Sequence, residues 1–238
     1  MPEPSEVEPR DRAVTPALAR RRDGRAPRPA RIAGESIRNA ILDTARALYR
    51  KGGYGDVTMR GIAARLGIKA PSLYHHFASK DEIFAALQEQ AFELQLQAEL
   101  RSRPHPDALE DLREFFWRYT EFSKAHPDYF SLAYVDPAAP PLQGRVYQLY
   151  PLRRLDEIAV DKISRCIDTG VFPRGTDPHE AGQALWVAIH GPSALQVIQH
   201  RHVHDPEGLA ARALDLTIAG IRAGVLVPKD GTPERTQP

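Results

Sequence analysis

The stretch from Thr58 to Lys80, TMRGIAARLGIKAPSLYHHFASK, constrains this chain most, because its punctuation admits only short helices meeting at a tight turn. The Thr58 hydroxyl suits an N-cap, Ile62, Ala63 and Leu66 share a face at helical spacing, and Gly67 can take the left-handed conformation that ends a helix. Ile68 then plugs the corner. Pro71, with its fixed φ and missing N–H, suits the start of a second short helix, on which Leu73 and Phe77 share the buried side. Ser72, Tyr74, His75 and His76 are left on or near the opposite side, with Lys69 and Ala70 at its start. A short helix held by two or three apolar anchors, presenting ammonium, hydroxyl, phenol and imidazole groups outward, has the build of a helix that reads a major groove.

The flanks fit that reading. A first helix is expected over residues 35–51, with Ile37, Ile41, Ala45 and Leu48 as its core stripe and Gly52-Gly53 as its end; Tyr54 is expected to pack inward. Ser79 caps a further helix whose first turn holds Lys80, Asp81 and Glu82. The two acids suit the positive end of a helix dipole, whereas a lysine there is misplaced unless it meets a phosphate. This helix continues through Ile83, Phe84, Leu87, Phe92, Leu94 and Leu96 to about Arg101, a span of roughly 30 Å. That is long enough to act as a lever between a head and a body.

Charge divides the chain in the same way. Residues 1–80 carry sixteen Lys/Arg against eight Asp/Glu, a surplus of +8, and the rest carries sixteen against twenty-three, or −7. A basic front and an acidic back call for different partners, a polyanion for the first. Residues 1–33 hold six prolines and few large apolar groups, so they are expected to be disordered in isolation. Arg20, Arg21, Arg22, Arg25, Arg28 and Arg31 face only Asp23 there. They read either as an arm that follows phosphates or enters the minor groove, or as a solvated tail.

Thr58, Ile62-Ala63, Leu66-Gly67-Ile68, Leu73-Tyr74, His76-Phe77 and Lys80, in this order and spacing, resemble the N-terminal signature of the TetR family of bacterial transcriptional regulators. The resemblance implies an all-α protein, with a three-helix DNA-binding head over residues 34–80 and a helical effector-binding and dimerisation body over residues 81–225. It further implies a ligand-responsive repressor that binds a palindromic operator in double-stranded DNA as a homodimer. It assigns Thr58, Met59, Arg60, Lys69, Ala70, Pro71, Ser72, Tyr74, His75, His76 and Lys80 to the DNA. Lys69 stands where Ser or Thr often caps the reading helix, and Pro71 where Gly is frequent. Both departures leave the fold intact and the base preference open.

The body is less explicit. A helical stretch over residues 106–135 holds Phe115, Phe116, Trp117, Tyr119, Phe122, Tyr129, Phe130 and Tyr134, which serve as core or, through their polar handles, as the lining of a cavity. A loop of Asp136, Ala138, Ala139 and three prolines leads to a helix over residues 143–169, in which Pro151 is a kink or early break. Arg153, Arg154, Asp156, Glu157, Asp161 and Lys162 read as a solvated face on that helix, and Cys166 as a small buried residue. Two further helices run from Asp177 to about His200 and from Pro206 to about Gly224, with faces of apolar and small residues that can pair with their copies as a four-helix bundle. Trp186, His190 and Gly191 resemble the Trp-His-Gly feature of one TetR C-terminal subgroup. Phe116, Tyr119, Phe122, Trp186 and His190 are the candidate ligand-binding residues, and residues 226–238 form a polar tail.

Other chemistry finds little footing. No phosphate loop, paired-carboxylate motif or nucleophile elbow is present, so no enzyme, catalytic residue or cofactor is expected. His200, His202 and His204 could ligate a metal in a helical enzyme, but histidines at a helix end are already favoured by its dipole, and no metal is expected. With no long apolar run, no signal-like start and one cysteine, a cytoplasmic protein without membrane contact is expected. A regulator whose effector is another protein is the remaining alternative.

Overall fold

In the computed structural model, residues 34–139, 149–199 and 204–227 are described, 34–36 as helical backbone only, and no strand occurs among them. The first helix, α1 (Gly34–Asp56), breaks at Gly53 (φ 72°, ψ −171°) and resumes for one turn. The expected stop at Gly52-Gly53 is therefore a kink. Tyr54 holds the extra turn by packing edge-on against Phe84, with ring centroids 4.7 Å apart. Then follow α2 (Met59–Leu66), α3 (Ala70–Tyr74) and α4 (Lys80–Leu100).

The expected single helix over residues 106–135 is three pieces: α5 (Ala108–Ala125), the single turn α6 (Pro127–Phe130) and a π-helical turn over Ser131–Val135. His126 leaves the helical region (φ −134°, ψ 58°) just ahead of Pro127, because a residue before proline is disfavoured there. Helix α7 covers Tyr150–Asp168 with Pro151 in its first turn, where a missing N–H costs nothing, so Pro151 starts this helix and does not kink it. Residues 143–148 of the expected span lie outside the described residues. Helices α8 (Pro178–Val197) and α9 (Pro206–Arg222) follow, each opened by an Asp cap and a proline.

Two cores organise these helices. One gathers Ile41, Leu42 and Tyr49 of α1, Ile62 of α2, Leu73 and Phe77 around α3, and Phe84 and Leu87 of α4, and continues into Phe122, Tyr129, Phe130 and Leu132. The head thus shares its core with the body across residue 80. The other joins α5, α7, α8 and α9 through Leu112, Phe116, Ile163, Phe172, Leu185, Ile189, Leu214 and Ile218. Cys166 is buried in it, its thiol bonded to the Ala108 carbonyl at 3.3 Å and pushed up to about 11 by burial.

A buried ionic network ties the far end of α4 to this second core. The Lys162 ammonium lies 2.9 Å from Asp111 and 3.4 Å from Glu99; Arg118 meets Glu99 at 2.6 Å and Arg165 meets Asp111 at 3.3 Å. Lys162 therefore belongs to the interior, not to the solvated face expected for it. Burial pushes Asp111 up, and the Lys162 ammonium, the His105 N–H and the Arg165 charge together outweigh that and leave its carboxyl below the ordinary value. A lysine stays charged when buried only if carboxylates surround it, and the two partners lie on other helices.

Candidate nucleic-acid interface

The geometry of the head follows from its caps. Thr58 Oγ1 accepts the Gly61 N–H at 3.0 Å and opens α2. Gly67 closes it with φ 65°, its N–H donating to Ala64 and the Ile68 N–H to Ala63, the paired bonds of a Schellman end. Helix α3 starts without a side-chain cap at Lys69 and is pinned by Leu73 and Phe77, both fully buried. With those two inward, Lys69, Pro71, Tyr74 and His75 are exposed, as are Thr58 and Arg60 at the start of α2, while Ala70, Ser72 and His76 are half-buried. Tyr74 keeps 53% of its surface accessible, which an aromatic ring needed only for packing would not. Met59 leans on the core.

Arg60, Arg65 and Lys69 have no ion-pair partner among the described residues, and eight Lys/Arg against three Asp/Glu lie in residues 34–80. Arg38 of α1, which sequence reasoning did not single out, lies over the Phe77 ring at 4.7 Å and sets another exposed cation beside α3. Only a cation off the apolar stripe of α1 marked it in the sequence. Lys80 behaves differently. Its ammonium donates to the Tyr54 carbonyl at 3.0 Å and lies 3.6 Å over the Tyr54 ring, while the Tyr54 hydroxyl donates to Asp81. Lys80 is thus engaged within the protein, and this engagement explains its place at a helix start without a phosphate. The cap itself is Ser79, which accepts the Glu82 N–H at 3.1 Å, while Glu82 accepts the Ala78 N–H at 2.6 Å.

The five candidate ligand-binding residues separate. Tyr119, Trp186 and His190 converge: the Tyr119 hydroxyl is 2.7 Å from His190 Nδ1, and the Trp186 and His190 rings stack at 4.7 Å. Phe130 and Tyr134, which were not among the candidates, complete the group at 6.1 Å and 5.9 Å from His190. Phe116 and Phe122 instead fill the two cores, one in each, to either side of Tyr119. Of the histidine triplet, His200 and His202 lie outside the described residues and His204 is exposed.

Residues 41–87, which hold all of α2, α3 and their caps, match the family described as "Bacterial regulatory proteins, tetR family". The head of this chain is thus similar to that of the TetR family. A stretch of 55 residues is 46% identical to the HTH-type transcriptional repressor KstR2 of Mycobacterium tuberculosis, covering 22% of this chain and 28% of that protein. A stretch of 83 residues is 28% identical to IcaR, the negative transcriptional regulator of the icaADBC biofilm operon of Staphylococcus epidermidis, covering 35% of this chain and 45% of IcaR. The chain thus spans less than half the length of either relative.

Likeness of fold extends much further. The TetR family regulator PfmR from Thermus thermophilus superposes with a TM-score of 0.55 at 23% identity over 77% of this chain and 97% of its own. FadR from Bacillus subtilis, solved in complex with stearoyl-CoA, superposes with a TM-score of 0.61 at 18% identity over 77% and 98%. The all-α fold, with an N-terminal helix-turn-helix and a helical C-terminal region, is that of TetR regulators.

Proposed function

We propose that this chain is a cytoplasmic, homodimeric transcriptional repressor that holds a palindromic duplex through α2 and α3 and releases it when a small molecule occupies the body. The observation that carries this is the outward face of α3, with Tyr74 half-exposed and Lys69 unpaired, on a helix fixed by only Leu73 and Phe77. Thr58 and Arg60 meet a phosphate at the start of α2; Tyr74 and His76 grip phosphates across the groove; Lys69, Ala70, Pro71, Ser72 and His75 face base edges. Lys80 reaches a phosphate only by sharing its ammonium with Tyr54.

The relatives support this reading, since KstR2 and IcaR are a repressor and a negative regulator. Support for a dimer comes from Val187 and Leu216, which leave 61% and 74% of their surface open on α8 and α9, and from the exposed Leu209 of α9. A second copy covering that face would set two α3 helices about 34 to 36 Å apart, one helical turn of duplex.

The segment over residues 127–135 is positioned to carry a signal between the two ends. On the head side, the Arg46 guanidinium donates two bonds to Asp128, at 2.6 and 3.1 Å, and lies over the Tyr129 ring at 3.9 Å, and Tyr49 meets Ser131 at 3.0 Å. On the body side, Phe130 stacks on His190. A ligand that binds one arrangement of this segment better than the other shifts the heads by that difference in affinity. Selection of duplexes bound by the full chain tests the proposal: a palindrome with half-sites one turn apart is expected, and absence of any enriched duplex would refute it.

A further inference from the structure

We infer that the aromatic group around His190 takes an uncharged, flat, mostly apolar small molecule whose hydrogen-bond acceptor meets His190 Nε2. This rests on the small-molecule reading above and goes further by naming the chemical class.

Tyr119, Phe130, Tyr134, Trp186 and His190 come from α5, α6, the π turn and α8, and meet mainly edge to face: Tyr119 lies 5.2 Å from Phe130, 5.4 Å from Tyr134 and 6.4 Å from Trp186. Burial raises the phenols of Tyr119 and Tyr134 strongly, so both sit deep in protein. Yet Tyr119, Tyr134 and His190 all keep accessible surface, and Trp186 is 39% exposed. These partly covered, accessible groups are the walls of the inferred recess.

The recess has one polar feature to offer. Burial lowers His190 below the ordinary imidazole value and so favours the neutral ring, and the Tyr119 hydroxyl, which has no other acceptor among the described residues, is assigned as the donor to Nδ1. A neutral imidazole that accepts at Nδ1 carries its hydrogen on Nε2. Nε2 has no partner among the described residues and is not among the sealed polar atoms. The Tyr134 hydroxyl, in contrast, is committed to Gln95 by bonds of 3.0 and 3.2 Å.

Charge narrows the ligand further. Among the described residues, no Asp, Glu, Lys or Arg makes a hydrogen bond or ring contact with any of the five. An anion entering here loses its water and gains no countercharge. A cation would meet the positive end of the Nε2–H bond and gain no carboxylate. The residue types favour a planar, lipophilic molecule slid against Trp186, with a carbonyl or ether oxygen toward His190.

Four matched probes test this on the full chain, with binding followed by tryptophan fluorescence: methyl naphthyl ketone, ethylnaphthalene without an acceptor, naphthoate as the anion and naphthylmethylammonium as the cation. The ketone should bind about tenfold tighter than each of the others. In His190→Phe, which keeps a stacking ring and removes the donor, that preference over ethylnaphthalene should vanish while ethylnaphthalene itself binds as before. His190→Gln, which keeps an N–H donor, should retain the preference and serves if the Phe variant fails to fold. Naphthoate or naphthylmethylammonium binding as tightly as the ketone, a preference that survives His190→Phe, or no binding of any probe would each overturn the inference. Duplex binding without probe separates the two levels: retained duplex binding with no ketone preference sinks the ligand class alone, and lost duplex binding with the preference intact sinks the repressor reading alone.

Discussion

The head and the body use their aromatic and basic residues in opposite ways. In the head, Tyr74 and Lys69 project outward at a five-residue helix whose buried side is spent on Leu73 and Phe77. In the body, Tyr119 and Tyr134 are turned inward against neighbouring elements, and Lys162 is enclosed by Glu99 and Asp111. The same side chain types thus stand outward where the helix is too short to bury them and serve cohesion where neighbouring helices supply partners. Between the regions, Arg46 and Tyr49 of α1 hold the turn that also carries Phe130.

The sharpest break of that comparison is Phe130→Ala. Phe130 is fully buried in the core shared by head and body, so its truncation should cost about 4 kcal/mol in chemical denaturation. A loss under about 1 kcal/mol would mean that the shared core is loose. Next, Leu216→Glu should convert the proposed dimer to monomer by sedimentation and lower duplex affinity with it, since a carboxylate would be left unpaired at the apolar contact proposed there. Survival of the dimer would place its interface elsewhere.

Asp128→Asn should cost about 2 kcal/mol, since Arg46 loses a charged double hydrogen bond. Burial pushes Asp128 up, but the Arg46 bond and charge outweigh it and hold the carboxyl below 3.8. Because the folded-state value is the lower one, this stabilisation is full above about pH 4 and is lost as pH falls through the folded-state value. The wild-type chain should therefore lose more stability than Asp128→Asn on acidification through that window, and parallel curves would show the pair to be idle. Smallest is Thr58→Ala, which removes the cap bond to Gly61 and should cost about 1 kcal/mol by thermal denaturation.

Legibility followed the same division. The helix-turn-helix could be read because its signals are local: Thr58, Gly67, Pro71 and Ser79 dictate ends, and Leu73 and Phe77 dictate a face. What depended on distant partners could not. The contact of Lys80 with Tyr54 was hidden, because Tyr54 comes from a turn held by the Gly53 kink. Lys162 reads as surface because Glu99 and Asp111 lie 63 and 51 positions away in sequence. Tyr119, Trp186 and His190 were nameable as aromatic and polar groups at helical spacing, but Phe130 and Tyr134 joined them only through the break at His126.

The central claim is that the outward face of α3 meets duplex DNA, and the salt dependence of binding tests it most directly. For Arg60→Ala, beside α3 at the start of α2, affinity for the selected duplex should fall and the slope of log affinity against log salt should lessen by about one, while Tyr74→Ala on α3 should lose affinity with the slope unchanged. If both variants bind with wild-type affinity and slope, that face does not touch the duplex and the account is wrong.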